Sequence, residues 1–330
     1  MRQATPPSSP VVAVVVPTYR RADLLDRCLG ALCAQTLPSS QYEIIVCDDG
    51  PDEVMRETVL RHARRPGAPA LAYLPVTATQ GPAGARNAGW RATQAPIIAF
   101  TDDDTVPRPD WLAAGLAAMR PGVDAVAGAI VMPIPPNPSD YELDASHLQE
   151  AEFATANCLV RRAALDAVGG FDTRYGMAWR EDSDLQFALL EGGYDIERAP
   201  AAIVEHPLRP APYAVALRAQ RKVRYDTLLY KKYPRLYRER IRRGPPWHYL
   251  SICALLAVVV LALAAGQRGL AVAAGLGWLV LTARFFLRRI RPTRKDLPHL
   301  VETLITSIAI PPLSIYWRIV GSLAYRAGFP

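Results

Sequence analysis

Apolar residues recur along the first hundred positions in two alternating rhythms. Val11 to Val16 is an unbroken β-branched run closed by Pro17, the pattern of a strand buried on both faces of a parallel sheet. Ala22 to Leu37 then sets Leu24, Leu25, Cys28, Leu29 and Leu32 on one helical stripe. The same reading predicts strands at Tyr42 to Cys47, Ala70 to Val76 and Ile97 to Thr101, with helices at Val54 to Arg64 and Ala83 to Ala92. Strands that alternate with helices predict an α/β fold with a mainly parallel sheet. In such sheets ligands bind beyond the carboxyl ends of the strands. Asp48-Asp49-Gly50 and Asp102-Asp103-Asp104 both fall there.

Pro133 to Pro138 reads as a loop, with the next ordered piece expected near Ala151. Ala163 to Val168 and Ser183 to Glu191 have helical patterns, each stopped by a Gly pair. Tyr249 to Gly266 is 18 residues without a charge, long enough for a transmembrane helix. Gly269 to Ala283 predicts a second span, from which Arg284 must snorkel if the helix extends to Leu287. Leu300 to Val320 is apolar but interrupted by Glu302, Pro311-Pro312 and Arg318. Either a broken third span or an interfacial helix fits it.

Charge sharpens this division. The 330 residues carry a net +7, but residues 1–217 sum to −9 and residues 218–330 to +16. Three parts follow: an acidic α/β domain over 1–215, a basic juxtamembrane interfacial helix region over 216–246, and a membrane hairpin with a C-terminal apolar helix over 247–330. Arg218 to Arg243 holds eleven Lys and Arg against two acids. No nucleic-acid reader motif accompanies it and a bilayer span follows, so anionic lipid rather than nucleic acid is the expected partner. Basic flanks on both outer sides of the hairpin put both in the cytoplasm by the positive-inside rule. An apolar hairpin of this kind often supports self-association, so a homo-oligomer is one expectation.

The five cysteines form no CxxC pair and sit among apolar neighbours, so they read as small hydrophobes in a reducing cytoplasm. Met1 to Pro10 is polar and Pro-rich, and the apolar run after it is too short for a signal-peptide core. Export of the first part of the chain is not expected.

Asp102 and Asp104 are separated by one residue, so an extended backbone points both carboxylates to one side of the sheet edge. Hard oxygen ligands there suit Mg²⁺ or Mn²⁺ held jointly with substrate phosphates. The plainer alternative is an acidic turn that caps a strand.

The ordered set Val14 to Arg20, Ile45 to Gly50, Gly81 to Gly89 and Phe100 to Asp104 resembles the family 2 glycosyltransferases of GT-A fold. That family transfers sugars from nucleotide diphosphates with inversion. The resemblance covers about the first two-thirds of the chain. It implies that Pro17, Thr18, Tyr19 and Asp49, with Asp48, line the nucleoside, and that Arg86 lies near the diphosphate. Asp102 and Asp103 join the donor side, and Gly81 and Gly84 let the backbone approach closely. Pro51 stands where the family usually has Ser. Gly169 to Asp172 and Glu181 to Leu185 resemble the acceptor segment, in which Asp182 matches the general base and Glu181 its neighbour.

Asp104 and Asp102 would hold the metal, and His206 sits where relatives place a histidine beside metal or diphosphate. Trp179 fits either acceptor stacking or a core role. As first-turn acids of a helix, Glu181, Asp182 and Asp184 also have a purely structural reading, which would lower the Asp182 pKa. No Gln-x-x-Arg-Trp string of the processive synthases occurs, which favours single addition.

The resemblance therefore implies a metal-dependent, inverting enzyme on a cytoplasmic membrane face, with a lipid-linked or envelope glycan as acceptor. A polyprenyl-phosphate glycosyltransferase is the close alternative. A silent nucleotide-sugar-binding scaffold is the alternative of another class, and a nucleotidyltransferase lacks a phosphate-cradling loop.

Overall fold

The computed structural model describes residues 9–330, so nearly all of the polar start, Met1 to Pro10, lies outside the described residues. The chain divides into two compact units. One holds the chain up to Pro133 together with His147–Pro207. The other joins Ile134–Ser146 to Leu208–Pro330.

The first unit is built on a mixed sheet. Its strands are β1 (Val12–Thr18), β2 (Tyr42–Asp48), β3 (Ala70–Pro75), β4 (Ile97–Phe100), β5 (Val106–Pro107), β6 (Ala125–Val131), β7 (Cys158–Arg161) and β8 (Ile196–Glu205). They lie in the order β3-β2-β1-β4-β7-β6-β8-β5. β3, β2, β1 and β4 are parallel, as the alternating pattern predicts. β7 then runs antiparallel to both β4 and β6, and β8 parallel to β6. Two reversals restore the direction, so β8 ends on the same sheet edge as β1, β2 and β4.

Alternate residues of the buried strands feed two cores. Val12, Val14, Val16, Ile44 and Val46 pack on α1 (Ala22–Cys33), α2 (Glu53–Ala63) and α4 (Trp111–Ala118). Ala13, Val15, Ile45 and Cys47 face α3 (Pro82–Arg91), α6 (Arg162–Val168) and α7 (Glu181–Glu191). Gly89 of α3 packs so closely on β1 and β2 that a Cβ there would lie 2.5 Å from Cys47 Sγ. Each buried large aliphatic contributes on the order of 1.5–3 kcal/mol.

Two element ends depart from expectation. α1 stops at Cys33 instead of Leu37, because the Thr36 amide donates to Pro109 and the Gln35 side chain bridges Arg108 and Leu112. Order also resumes before Ala151: α5 spans Asp140–Ser146, and a single 3₁₀ turn follows at His147–Glu150. A reciprocal cap starts α5, in which the Glu142 amide donates to Ser139 Oγ and the Ser139 amide to the Glu142 carboxylate.

The second unit is helical apart from its loops. α8 (Val215–Ala219), α9 (Arg224–Lys232) and α10 (Pro234–Leu236) break the basic stretch into short pieces. Three long helices follow, α11 (Trp247–Ala264), α12 (Arg268–Ile290) and α13 (Leu297–Tyr325), each long and apolar enough to cross a membrane. α11 and α12 form an antiparallel hairpin. α13 is one helix that runs through Pro311 and Pro312, not a broken element. Within this unit Arg289 pairs with Asp140 at 2.7 Å and Arg318 with Asp226 at 3.0 Å. A polar cavity of about 420 Å³, lined in part by Asp140, Glu142, Arg294 and Glu302, lies beside the first pair.

Candidate active site

The acidic clusters occupy the common strand edge. After β4 the chain turns sharply, held by Thr105 Oγ1 donating to the Asp102 carbonyl at 2.7 Å and by Thr101 donating to the Ala156 carbonyl. This turn separates the three aspartates. Asp103 is buried and accepts from Thr18 Oγ1 at 2.7 Å and from Arg21 at 3.0 Å. Burial pushes its pKa up to about 6 despite Arg21 and Thr18. Asp102 and Asp104 instead face His206, which follows β8 directly, and one ligand atom from each of the three lies within 4.8 Å of the others. His206 Nε2 is 3.5 Å from Asp104 Oδ1, and its buried Nδ1 has no hydrogen-bond partner.

Two carboxylates and an imidazole nitrogen are a donor set that suits Mn²⁺ or Mg²⁺. His206 brings Nε2 to 3.5 Å from Asp104 Oδ1, which places that nitrogen as the third donor of such a centre.

Arg86 joins this cluster to α7. It is buried on α3 and donates to Asp102 at 2.7 Å and to Glu181 at 3.1 Å. Burial works against its charge, but the two carboxylates more than offset that and raise its pKa. Glu181 is buried as well, with Oε2 unpartnered, and desolvation raises its pKa in spite of Arg86. Asp182 beside it accepts from the Ser183 amide at 2.6 Å. Its pKa is raised, chiefly by burial, with Ser183, Arg180 and Arg86 opposing. The expected lowering by the helix N-terminus is therefore reversed, since removal from water outweighs the dipole and its partners.

At the other end of the edge, the two residues of the Asp48-Asp49 pair do different things. Asp48 is wholly buried and accepts from the Gly50 and Asp52 amides and from Tyr73 at 2.8 Å, so it holds the loop after β2. Asp49 Oδ2 accepts from the Gly81 amide at 2.7 Å, while its buried Oδ1 has no partner. Burial raises the Asp49 pKa. Gly81 has φ of 105°, a conformation strained for any side chain, and a Cβ there would lie 3.3 Å from Gly176 Cα, a tight contact. Tyr19 is exposed with its ring over Gly50, and Pro17 is half-buried next to it. Trp179 is 39% exposed with the Arg180 guanidinium 4.7 Å from its ring, so it has no core role.

Sequence reasoning missed Arg21, whose Nη1 reaches both Asp103 and Asp104, the latter at 3.6 Å. It also placed Arg86 by phosphate alone and overlooked its two carboxylates. No disulfide forms among the described residues, and burial raises the Cys28, Cys47 and Cys158 thiols.

Comparison with known proteins gives concordant results. The family model described as glycosyl transferase family 2 matches residues 13–171, and that described as glycosyl transferase family group 2 matches residues 97–287. The glycosyltransferase AglE of Haloferax volcanii is 28% identical over 211 residues, which are 61% of this chain and 68% of that protein. The pre-mycofactocin glycosyltransferase of Mycobacterium tuberculosis is 32% identical over 226 residues, 62% of this chain and 45% of its own length. A mannosyltransferase from Pyrobaculum calidifontis, solved with GDP-Man and Mn²⁺, superposes with a TM-score of 0.61 at 22% identity, covering 96% of this chain and 89% of that one. At that identity the likeness establishes the fold.

Proposed function

The chain belongs to the family 2 glycosyltransferases, and from that premise we propose a membrane-anchored, metal-dependent, inverting enzyme that moves a sugar from a nucleoside-diphosphate donor to a lipid-linked or cell-envelope glycan. The observation that carries this reading is the Arg86 bridge, which ties the Asp102, Asp104 and His206 cluster to the first turn of α7, where Asp182 sits. A donor-diphosphate site and a base for the acceptor must adjoin, and here one guanidinium spans them.

On the donor side, Asp49 Oδ1 accepts a hydrogen bond from a base N–H or a ribose hydroxyl, and the exposed Tyr19 ring packs on the nucleoside beside Pro17. Thr18, Asp48 and Asp103 act by holding these strand ends. Mn²⁺ or Mg²⁺ held by Asp102, Asp104 and His206 would neutralise charge on the diphosphate. The GDP-Man and Mn²⁺ bound by the Pyrobaculum neighbour support a nucleotide-sugar donor and a divalent metal for this chain.

Asp182 takes the proton from the acceptor hydroxyl as that oxygen attacks the anomeric carbon, and the bond from that carbon to the diphosphate oxygen breaks on the opposite face. Its raised pKa makes it a stronger base than an ordinary aspartate. Trp179 offers a face on which an acceptor sugar or lipid can stack.

The division into a catalytic domain, a basic juxtamembrane region and a membrane region accompanies this reading. Anchoring is in the cytoplasmic membrane with the catalytic unit on the cytoplasmic side, supported by the basic flanks Arg238 to Arg243 before α11 and Arg284 to Lys295 around the end of α12.

A thermal-shift screen of UDP, GDP and dTDP sugars with Mn²⁺, followed by transfer assays, tests the proposal. Full transfer by folded, membrane-bound Asp104→Ala and Asp182→Asn chains would refute it. A phosphate acceptor is already ionised and needs no base, so loss of transfer in Asp182→Asn also argues against a polyprenyl-phosphate acceptor.

A further inference from the structure

The two faces of α13 are inverted relative to a helix of a water-soluble core, an arrangement shared by spanning and interfacial helices, so what covers the buried face decides between them. Its buried side is polar: His299, Thr303, Thr306, Ser307, Ser314 and Arg318 are each at most 4% exposed. Its exposed side is apolar: Val301, Leu304, Ile305, Ile308, Ile319 and Leu323 are each at least 43% exposed. At 100° per residue these two sets centre on opposite faces of the helix.

The first turns of the buried face meet the end of α12, where Arg289 donates to Thr306 at 2.9 Å and Ser307 at 2.8 Å, and alongside them and beyond, the basic segment from Ala214 to Lys232 runs along α13 in the same direction. The Ala214 amide donates to Glu302 at 2.8 Å, Arg318 pairs with Asp226 at 3.0 Å, and Lys231 Nζ donates to the Tyr325 carbonyl at 2.7 Å. Between the last two ties Gly321 sits against the Arg224 carbonyl. The cover therefore spans from Glu302 to Tyr325, nearly all of α13. It carries Arg218, Arg221 and Lys231 on its exposed surface.

A spanning α13 would draw this charged segment into hydrocarbon along its whole length, where every exposed Arg and Lys is strongly disfavoured. From these contacts we infer that α13 does not cross the membrane. It lies in the interface plane of one leaflet, with the Val301 to Leu323 stripe in the acyl boundary and the segment Ala214 to Lys232 above it among anionic headgroups. This arrangement has the signature of an interfacial helix. The occupant of the stripe is lipid because the stripe is continuous in chemistry with the exposed apolar surface of the α11 and α12 hairpin, as at Val260, Leu261, Leu270 and Val272. The charge of its cover also complements anionic lipid. The membrane then holds two crossing helices, and both the turn before α13 and the end of the chain stay on one side.

This inference rests on the membrane attachment proposed above, so its test separates the two. The full chain carrying Cys33→Ser and Cys253→Ser receives a single nitroxide through Val301→Cys or Leu323→Cys, and is bound to vesicles of phosphatidylcholine and phosphatidylglycerol. Relaxation by oxygen and by a water-soluble nickel complex reads the depth of each label.

An interfacial α13 places both labels at one shallow depth below the headgroups. A spanning helix separates them by about 33 Å along its axis, one near each surface, and overturns the inference. Two labels shielded from lipid altogether also overturn it, in favour of a protein partner on the stripe. Failure of the chain to sediment with vesicles refutes membrane attachment itself, and this inference with it. In a second measurement a membrane-impermeant maleimide labels Arg291→Cys and Gly328→Cys from the same side of sealed vesicles. Labelling from opposite sides contradicts the inference while leaving attachment intact.

Discussion

Arg86 donates to Glu181 at 3.1 Å across 95 residues of sequence, and the same guanidinium donates to Asp102 at 2.7 Å. One side chain thus fixes the spacing between the first turn of α7 and the turn after β4. Arg86 and Glu181 are both buried and Asp102 is partly so, so removal of Arg86 or Glu181 leaves a buried charge without compensation.

Replacing Arg86 should therefore damage both stability and catalysis. Arg86→Met is expected to cost about 3–5 kcal/mol of stability, the range for breaking a buried pair. It should also lower kcat by roughly 100-fold through misplacement of α7. Adding Glu181→Gln should restore part of the stability. A double-mutant cycle in chemical denaturation measures the coupling, and additivity of the two changes would contradict the bridge.

The pH profile should carry the signature of Asp182. A base must be ionised to accept a proton, so activity rises with pH as this carboxyl deprotonates. Because burial raises its pKa, the acid limb should lie above the value of about 3.9 typical of aspartate. Asp182→Asn should reduce kcat by about 10²- to 10⁴-fold and remove that limb. An unchanged acid limb in the variant would assign it to another group.

Asp48→Asn and Asp49→Asn should differ in kind. Asp49 Oδ1 is the unpartnered acceptor, and loss of a hydrogen bond to a charged group is worth about 1.5–3 kcal/mol, or roughly 10- to 150-fold in donor affinity. Asp48 is occupied by two amides and a tyrosine, so its variant should lower Tm with little specific change in donor Kd. Calorimetric titration of a nucleotide sugar, combined with thermal unfolding, distinguishes them. Equal loss of affinity in both would undo the assignment.

His206→Ala should weaken Mn²⁺ binding by about 10- to 100-fold without unfolding the chain, as removal of a group that supports a metal centre does. Paramagnetic resonance of free Mn²⁺ titrated into the protein with nucleotide reads this directly. Wild-type affinity in the variant would exclude the imidazole from the centre.

The parallel half of the sheet was legible because continuous β-branched runs between helical stripes have few other solutions. β6, β7 and β8 were not singled out, since small residues such as Ala127, Gly128 and Ala129 carry little periodicity. The resemblance pointed to His206, but the physical reason that it shares an edge with Asp104, the two reversals at β7, was not legible in the pattern. α5 illustrates a signal that was present but passed over: Ser139 and Glu142 have capping-box spacing, hidden behind the prolines before them.

At Asp182 the local rule, a helix N-terminus, predicted one direction of pKa shift and the long-range burial produced the other. The polarity of α13 shows the same limit. Composition marks it as apolar, but only the position of Asp226 and the segment around it reveals which of its faces is left exposed.

The pairing of Asp140 with Arg289 across 149 residues has a consequence in time. At about 5–20 residues per second, the ribosome needs roughly 7–30 s to deliver Arg289 after Asp140 has emerged. During that interval both helices of the α11 and α12 hairpin are made while Asp140 waits without Arg289. Completion of the C-terminal unit is thus a late event of synthesis, and a chain cut at Pro207 would strand α5 for good.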